Sequence, residues 1–202
     1  MIDQSTRRGI RTWVLAKSAE TKAVCCGVAS DLLKNSKWRL TEQSDENVES
    51  GRVTVETTQT IANGSEPGEL YSLRKTIGVS TDKAALEVSY QAIFDKGDPL
   101  YVVTEIPLRI SAQPCSVEID STVVASEQDQ PIKGKKVKVC SGEHQLLVSS
   151  TCEAAWCTEN VQSVISTPEG FQLVEQGQVV AVGFTLRSGV VATLRFDFEG
   201  GV

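Results

Sequence analysis

The residues best equipped for chemistry in this 202-residue chain are six cysteines, a single histidine and three tryptophans. Cys140, His144, Cys152 and Cys157 fall within eighteen positions as C-x3-H-x7-C-x4-C, four soft ligands of the kind that hold zinc. Paired C-x2-C knuckles are missing, however, and the order matches no zinc module, so no metal site is assigned. A disulfide such as Cys152–Cys157, or buried thiols, account for the same residues. Cys115 and Cys140 complete the disulfide candidates. Cys25 and Cys26 are adjacent, and a bond between neighbours needs a strained ring.

His144 would have to serve any Ser-His-Asp or Cys-His mechanism. It sits in Ser141-Gly142-Glu143-His144-Gln145-Leu146, a turn feeding a strand, where a surface histidine suffices. Asp45, Glu46, Asp95 and Asp98 all fall in polar turns, where Asx chemistry explains them. No glycine-rich phosphate loop, H-E-x-x-H or G-x-S-x-G occurs. Trp13, Trp38 and Trp156 are able to stack a sugar or base, but three large aromatics in a chain of this size are more often core or disulfide-packing residues, and they are read as such. No catalytic constellation emerges, so the expectation is a non-enzymatic protein without a cofactor.

Composition narrows the partners. The net charge is −6, which opposes attraction to nucleic acid or to anionic membrane surfaces. Apolar residues make up 40% and charged residues 23%, and no apolar run approaches the roughly 18 residues of a membrane helix. The basic group Lys133, Lys135, Lys136 and Lys138 reads as a solvated hairpin. Near the start, Ser5-Thr6-Arg7-Arg8-Gly9 has a twin-arginine look, but Lys17, Glu20 and Lys22 interrupt the apolar stretch that an export signal requires. No signal peptide is evident.

The elements that must position these residues are mainly strands. Residues 18–34 place Ala19, Ala23, Cys26 and Leu33 at helical steps, with Ser18 as N-cap and Glu20 in the first turn. Beyond Asn35 the period changes to two. Strands are expected at 38–41, 52–61, 71–79, 85–94, 100–110, 115–124, 135–139, 145–149, 178–186 and 190–198, separated by turn clusters such as Asn63-Gly64-Ser65-Glu66-Pro67-Gly68. A short helix is expected over 159–166, from Val161, Val164 and Ile165, ended by Pro168. The fold class is therefore mainly β: a sandwich or barrel of about ten short strands with an N-terminal helix and one short helix near 159–166. Residues 1–34 are expected to form a helical segment separable from a β domain at 35–202.

From Trp38 onward the order of features resembles the invasion-associated locus B family of Gram-negative envelope proteins. The residues that carry the resemblance are Trp38-Arg39-Leu40, Gln59, Ile106-Pro107-Leu108-Arg109-Ile110, Val117-Glu118-Ile119-Asp120, Cys152 with Cys157, Val182-Gly183-Phe184-Thr185-Leu186 and Phe196-Asp197-Phe198-Glu199-Gly200. The chain departs from the family in lacking a cysteine pair between Trp38 and Gln59 and in carrying Ser121 after Ile119-Asp120. A second stretch, Pro114-Cys115-Ser116-Val117-Glu118-Ile119-Asp120 followed by Gly142-Glu143-His144-Gln145-Leu146, looks like a PEGA-type sandwich module. Both resemblances imply a non-catalytic β-sandwich that binds a partner protein or envelope component, placed in the periplasm or secreted. The alternative is a structural subunit of a virion or surface assembly.

Overall fold

The computed structural model describes residues 10–15, 21–25, 39–44, 50–61, 69–80, 84–95, 98–108, 116–125 and 129–199. In chain order they form β1 (Arg11–Leu15), α1 (Thr21–Cys25), β2 (Arg39–Ser44), β3 (Ser50–Ile61), β4 (Glu69–Ser80), β5 (Ala85–Ile93) and β6 (Leu100–Leu108). There follow β7 (Ser116–Ile119), β8 (Thr122–Val124), β9 (Ile132–Ser141), β10 (His144–Thr167), β11 (Gly170–Leu186) and β12 (Val191–Glu199). The mainly-β expectation holds, and most strand positions match the period-two segments.

All twelve strands join one sheet in the order β1-β6-β11-β10-β12-β5-β4-β3-β2, with β9, β7 and β8 branching from β10. The sheet folds back on itself. Thr12 of β1 bonds Tyr90 of β5, five places away in the order, and the Tyr90 ring packs on Phe184 of β11 at 5.7 Å. Two layers thus face each other across a core that includes Val102, Trp156, Val182, Phe184, Leu73, Val88, Leu194 and Phe196. β10 serves both layers: Gln145–Ser150 pair with β12, and Ala155–Thr167 pair with β11. Its register against β9 shifts between Ser149 and Ala154, which lets one strand change neighbours.

A second, smaller core lies on the outer face of β6, β10 and β11. Leu15, Val24, Tyr101, Val103, Cys157, Val179 and Ala181 form it, with Trp13 and Val161 packed at its margin. β6 is therefore covered on both faces, which is why its sequence is a near-continuous apolar run rather than an alternation.

Two expectations change, and a third is met over the part that is described. Residues 159–166 are strand, not helix: Glu159 to Thr167 pair residue by residue with Val179 to Gly170 across a turn at Pro168 and Glu169. Val161, Val164 and Ile165 fit a helical stripe, but β-branched residues with a partner strand alongside satisfy their backbone in the sheet. Of the helix expected over 18–34, Thr21–Cys25 is helical, and the rest lies outside the described residues. Of the segment 1–34 expected to stand apart, Arg11–Leu15 is the terminal strand of the sheet, with Val14 fully buried, and α1 packs on β6, β10 and β11.

Candidate functional site

The antiparallel register of β1 and β6 sets Arg11 opposite Glu105 and Trp13 opposite Val103. Paired residues share a face, so Arg11, Trp13, Tyr101 and Glu105 all belong to the outer side with the smaller core. β10 adds Glu159 to that side, in phase with Cys157 and Val161. α1 lies over it and brings Thr21 and Lys22.

Glu105 is 1% exposed, a carboxylate that burial would penalise by several kcal/mol if it stood alone. The Trp13 indole N–H donates to its Oε2 at 2.7 Å, and the Arg11 guanidinium approaches the same oxygen at 3.8 Å. Arg11 also rests over the Trp13 ring, 4.5 Å from its centroid. One buried carboxylate thereby orients an indole and a guanidinium that both reach toward solvent. Alongside, the Lys22 ammonium is ion-paired with Glu159, both partly exposed. Glu105 and Glu159 are two strands and two residues apart, about 12 Å between Cα atoms, so each carboxylate has its own cation.

The same face explains Gly183. The Tyr101 hydroxyl and Thr21 Oγ1, hydrogen-bonded at 2.7 Å, lie directly over it, and a methyl there would occupy the space of both oxygens. Burial pushes the Tyr101 phenol up, with the Thr21 hydrogen bond opposing.

A second polar cluster lies between the layers. Lys75 of β4 is 7% exposed and donates from Nζ to Thr12 Oγ1 at 3.0 Å and to the Ile10 carbonyl at 3.4 Å. The Tyr90 hydroxyl meets Thr12 Oγ1 at 2.9 Å and accepts from Thr104 Oγ1 at 3.0 Å. Among the described residues no carboxylate pairs with Lys75, and desolvation lowers its pKa to about 8. Desolvation likewise pushes Tyr90 up to about 12, against the hydrogen bonds of Thr104 and Thr12.

The residues singled out from the sequence are not brought together. His144 is exposed at the β9–β10 turn, and Asp95 and Asp98 lie in the exposed connection between β5 and β6. Asp45, Glu46, Cys26, Cys115 and Trp38 lie outside the described residues. Cys140, Cys152 and Cys157 are thiols, which corrects the expected disulfide. Cys152 and Cys157 share one extended strand, roughly 15 Å apart, whereas a disulfide needs Cα atoms within about 7 Å. They also face opposite ways, Cys152 toward the inter-layer core and Cys157 into the outer one. Trp156 is fully buried, its indole N–H donating to the Gly134 carbonyl at 2.9 Å. Among the described residues no group of three or more His, Cys, Asp or Glu is placed to hold a metal ion, and no helix is long and apolar enough to cross a membrane.

Sequence reasoning missed Glu105, Glu159, Lys22 and Lys75. Two signals were present. Thr104-Glu105 interrupts the apolar run of 100–108, and Lys75 falls in the buried phase of Tyr71, Leu73 and Lys75.

No protein-family model and no curated protein matches this chain. Solved structures do. A 4-α-glucanotransferase from Thermococcus litoralis is similar with a TM-score of 0.68 at 12% identity, over 96% of this chain and 28% of that one. The chain thus spans under a third of that enzyme's length. A galactose mutarotase-like protein from Clostridium acetobutylicum gives a TM-score of 0.56 at 10% identity, over 96% of this chain and 80% of that one. A protein from Synechocystis sp. PCC 6803 gives 0.57 at 8% identity, over 98% and 80%. At these identities the likeness is one of fold, and it corrects the functional expectation. The architecture is one that carbohydrate-active enzymes adopt, so the reading as a non-catalytic, invasion-associated envelope binder or a structural subunit is set aside.

Proposed function

We propose that this chain is a carbohydrate-processing enzyme or enzyme domain that moves protons at the anomeric centre of an aldose, as in mutarotation. The observation that carries the reading is the outer-face array of Trp13, Arg11, Glu105, Lys22 and Glu159, on a fold shared with a galactose mutarotase-like protein. Ring opening needs a base for the anomeric O–H and an acid for the ring oxygen. Glu159 and Lys22, already paired and partly exposed, supply these roles once a sugar separates them. The C1–O5 bond then breaks to the open-chain aldehyde, C1 rotates, and reclosure returns both protons. Arg11, stacked on the half-buried Trp13 indole, offers donors to the hydroxyls of a sugar, and the indole holds it in place. Glu105 is the positioning residue that holds both.

The test is the interconversion rate of α- and β-D-galactose and D-glucose, followed by polarimetry or NMR exchange. The wild-type chain accelerates it above the spontaneous rate. Glu159→Gln and Lys22→Met each lower kcat by about 10²-fold or more. Glu105→Gln raises KM more than it lowers kcat, because it loosens the platform rather than the proton transfer. Absence of acceleration with any aldose, or full activity in both Glu159→Gln and Lys22→Met, overturns the reading.

A further inference from the structure

β10 and β11 outrun the rest of the sheet. β6 pairs with β11 only over Gln178–Leu186, and β9 and β12 pair with β10 no further than Trp156 and Ser150. Residues 162–167 and 170–175 therefore pair only with each other among the described residues, a two-stranded ribbon about 20 Å long. A bulge marks its root, where the register shifts between Val161 and Gln162 and Gly177 takes a φ of +141° that a side chain would resist.

The ribbon is apolar where water would favour otherwise. Phe171 is 83% exposed and Leu173 58%, with Val164 at 41% directly opposite Leu173. Phe171 stands opposite Ser166, so all three side chains share one face, and Ile165, 40% exposed, lies on the other. A lone two-stranded ribbon is marginal in water, and the three side chains on the shared face expose about 350 Å² of apolar surface, within the range of the main patch of a typical monomer.

We infer that this ribbon is a dimerisation arm that packs face to face on the same ribbon of a second copy of the chain. Residues 159–186 contain Glu159, Glu169 and Glu175 but no lysine or arginine, which disfavours a nucleic acid or an anionic membrane as the occupant. Nor does any lysine guard the ribbon's edges, the usual device against strand pairing. A two-fold axis seats Phe171 of one copy against Val164 and Leu173 of the other. Two such faces, with the polar rows between them, bury about 1,000–1,200 Å², the lower end of specific interfaces, so the dimer is weak. The chain carries a net charge of −6, whose self-repulsion salt screens, so association strengthens with salt. This inference does not rest on the sugar reading.

Sedimentation velocity on the full chain, from about 5 to 500 µM and at low and high salt, tests it. The mass rises from 21.8 kDa toward twice that value, with a dissociation constant of roughly 1–100 µM that falls as salt is added. The double substitution Phe171→Ser with Leu173→Ser weakens association at least tenfold and leaves the far-UV spectrum unchanged. Phe198→Ser, an exposed aromatic on β12 away from the ribbon, leaves association intact. Should the double variant misfold, Phe171→Lys alone must still weaken the dimer. A wild-type chain that stays monomeric at 500 µM in both salts overturns the inference, as does a dimer that the folded ribbon variants leave undiminished.

Discussion

At Lys75 the folded chain holds an amine among hydroxyls and one carbonyl, between two sheet layers. Burial lowers its pKa from 10.5 to about 8. Between those values the unfolded chain binds a proton that the folded chain does not, so stability rises as pH climbs from about 8 to about 10.5. From this group it is flat outside that window. The rise amounts to at most about 3 kcal/mol, and urea denaturation midpoints at pH 7 to 11 report it. Lys75→Met abolishes the rise; a variant that keeps the same pH slope assigns it to other groups. Glu105 is the contrasting case, a buried charge whose cost is offset by the indole N–H and guanidinium it organises. The Trp13 N–H donates to it and Arg11 is ion-paired with it, so both are tied to it structurally as well as in sugar recognition.

Among the elements, β1 has the largest influence for its length. Five residues cover one edge of β6, bury Val14 in the inter-layer core and Leu15 in the outer one, and carry Thr12 to Lys75 and Tyr90. α1 continues the cover with Val24, fully buried, and with Thr21 over Gly183. Deleting residues 1–34 therefore uncovers β6 on its free edge and on its outer face. The truncated chain is expected to lose cooperative unfolding and to bind a hydrophobic dye, read by thermal circular dichroism and dye fluorescence. A truncated chain that melts cooperatively near the wild-type temperature restores the segment as separable.

On the scale of the whole molecule, one folded sheet carries a small core flanked by the Glu105 and Glu159 ion pairs on the outer face of one layer, and a larger core with the Lys75 cluster between the two layers. A ligand that binds only the native outer face stabilises the fold by mass action, about 2.7 kcal/mol at a concentration one hundred times its Kd. For a chain of this size that shift is several degrees in Tm. Galactose or glucose titrated into a melting assay should give such a saturable rise in the wild type, and a smaller one in Trp13→Ala measured relative to its own unliganded Tm. An equal rise in both, or the same rise with a non-sugar polyol, places the binding elsewhere.

The strands were legible because their cause is local. Alternation in Ala85 to Phe94 or Val190 to Phe198 follows from side chains pointing to opposite faces of a pleat, and each turn cluster ends a strand by its own backbone preferences. Residues 159–166 were misread because Val161, Val164 and Ile165 satisfy a helical stripe as well as a strand. Only pairing with 170–179 decides between them. The same extension undid the disulfide, since five positions of strand separate two sulfurs that five positions of helix would bring nearer. The site was not legible because its contacts are long-range: Lys22 meets Glu159 across 137 positions, Trp13 meets Glu105 across 92, and Thr12 meets Tyr90 across 78. Local sterics and turn chemistry set the elements from the sequence. Which faces meet, and hence which carboxylate finds which cation, was decided by the order of strands in the folded sheet.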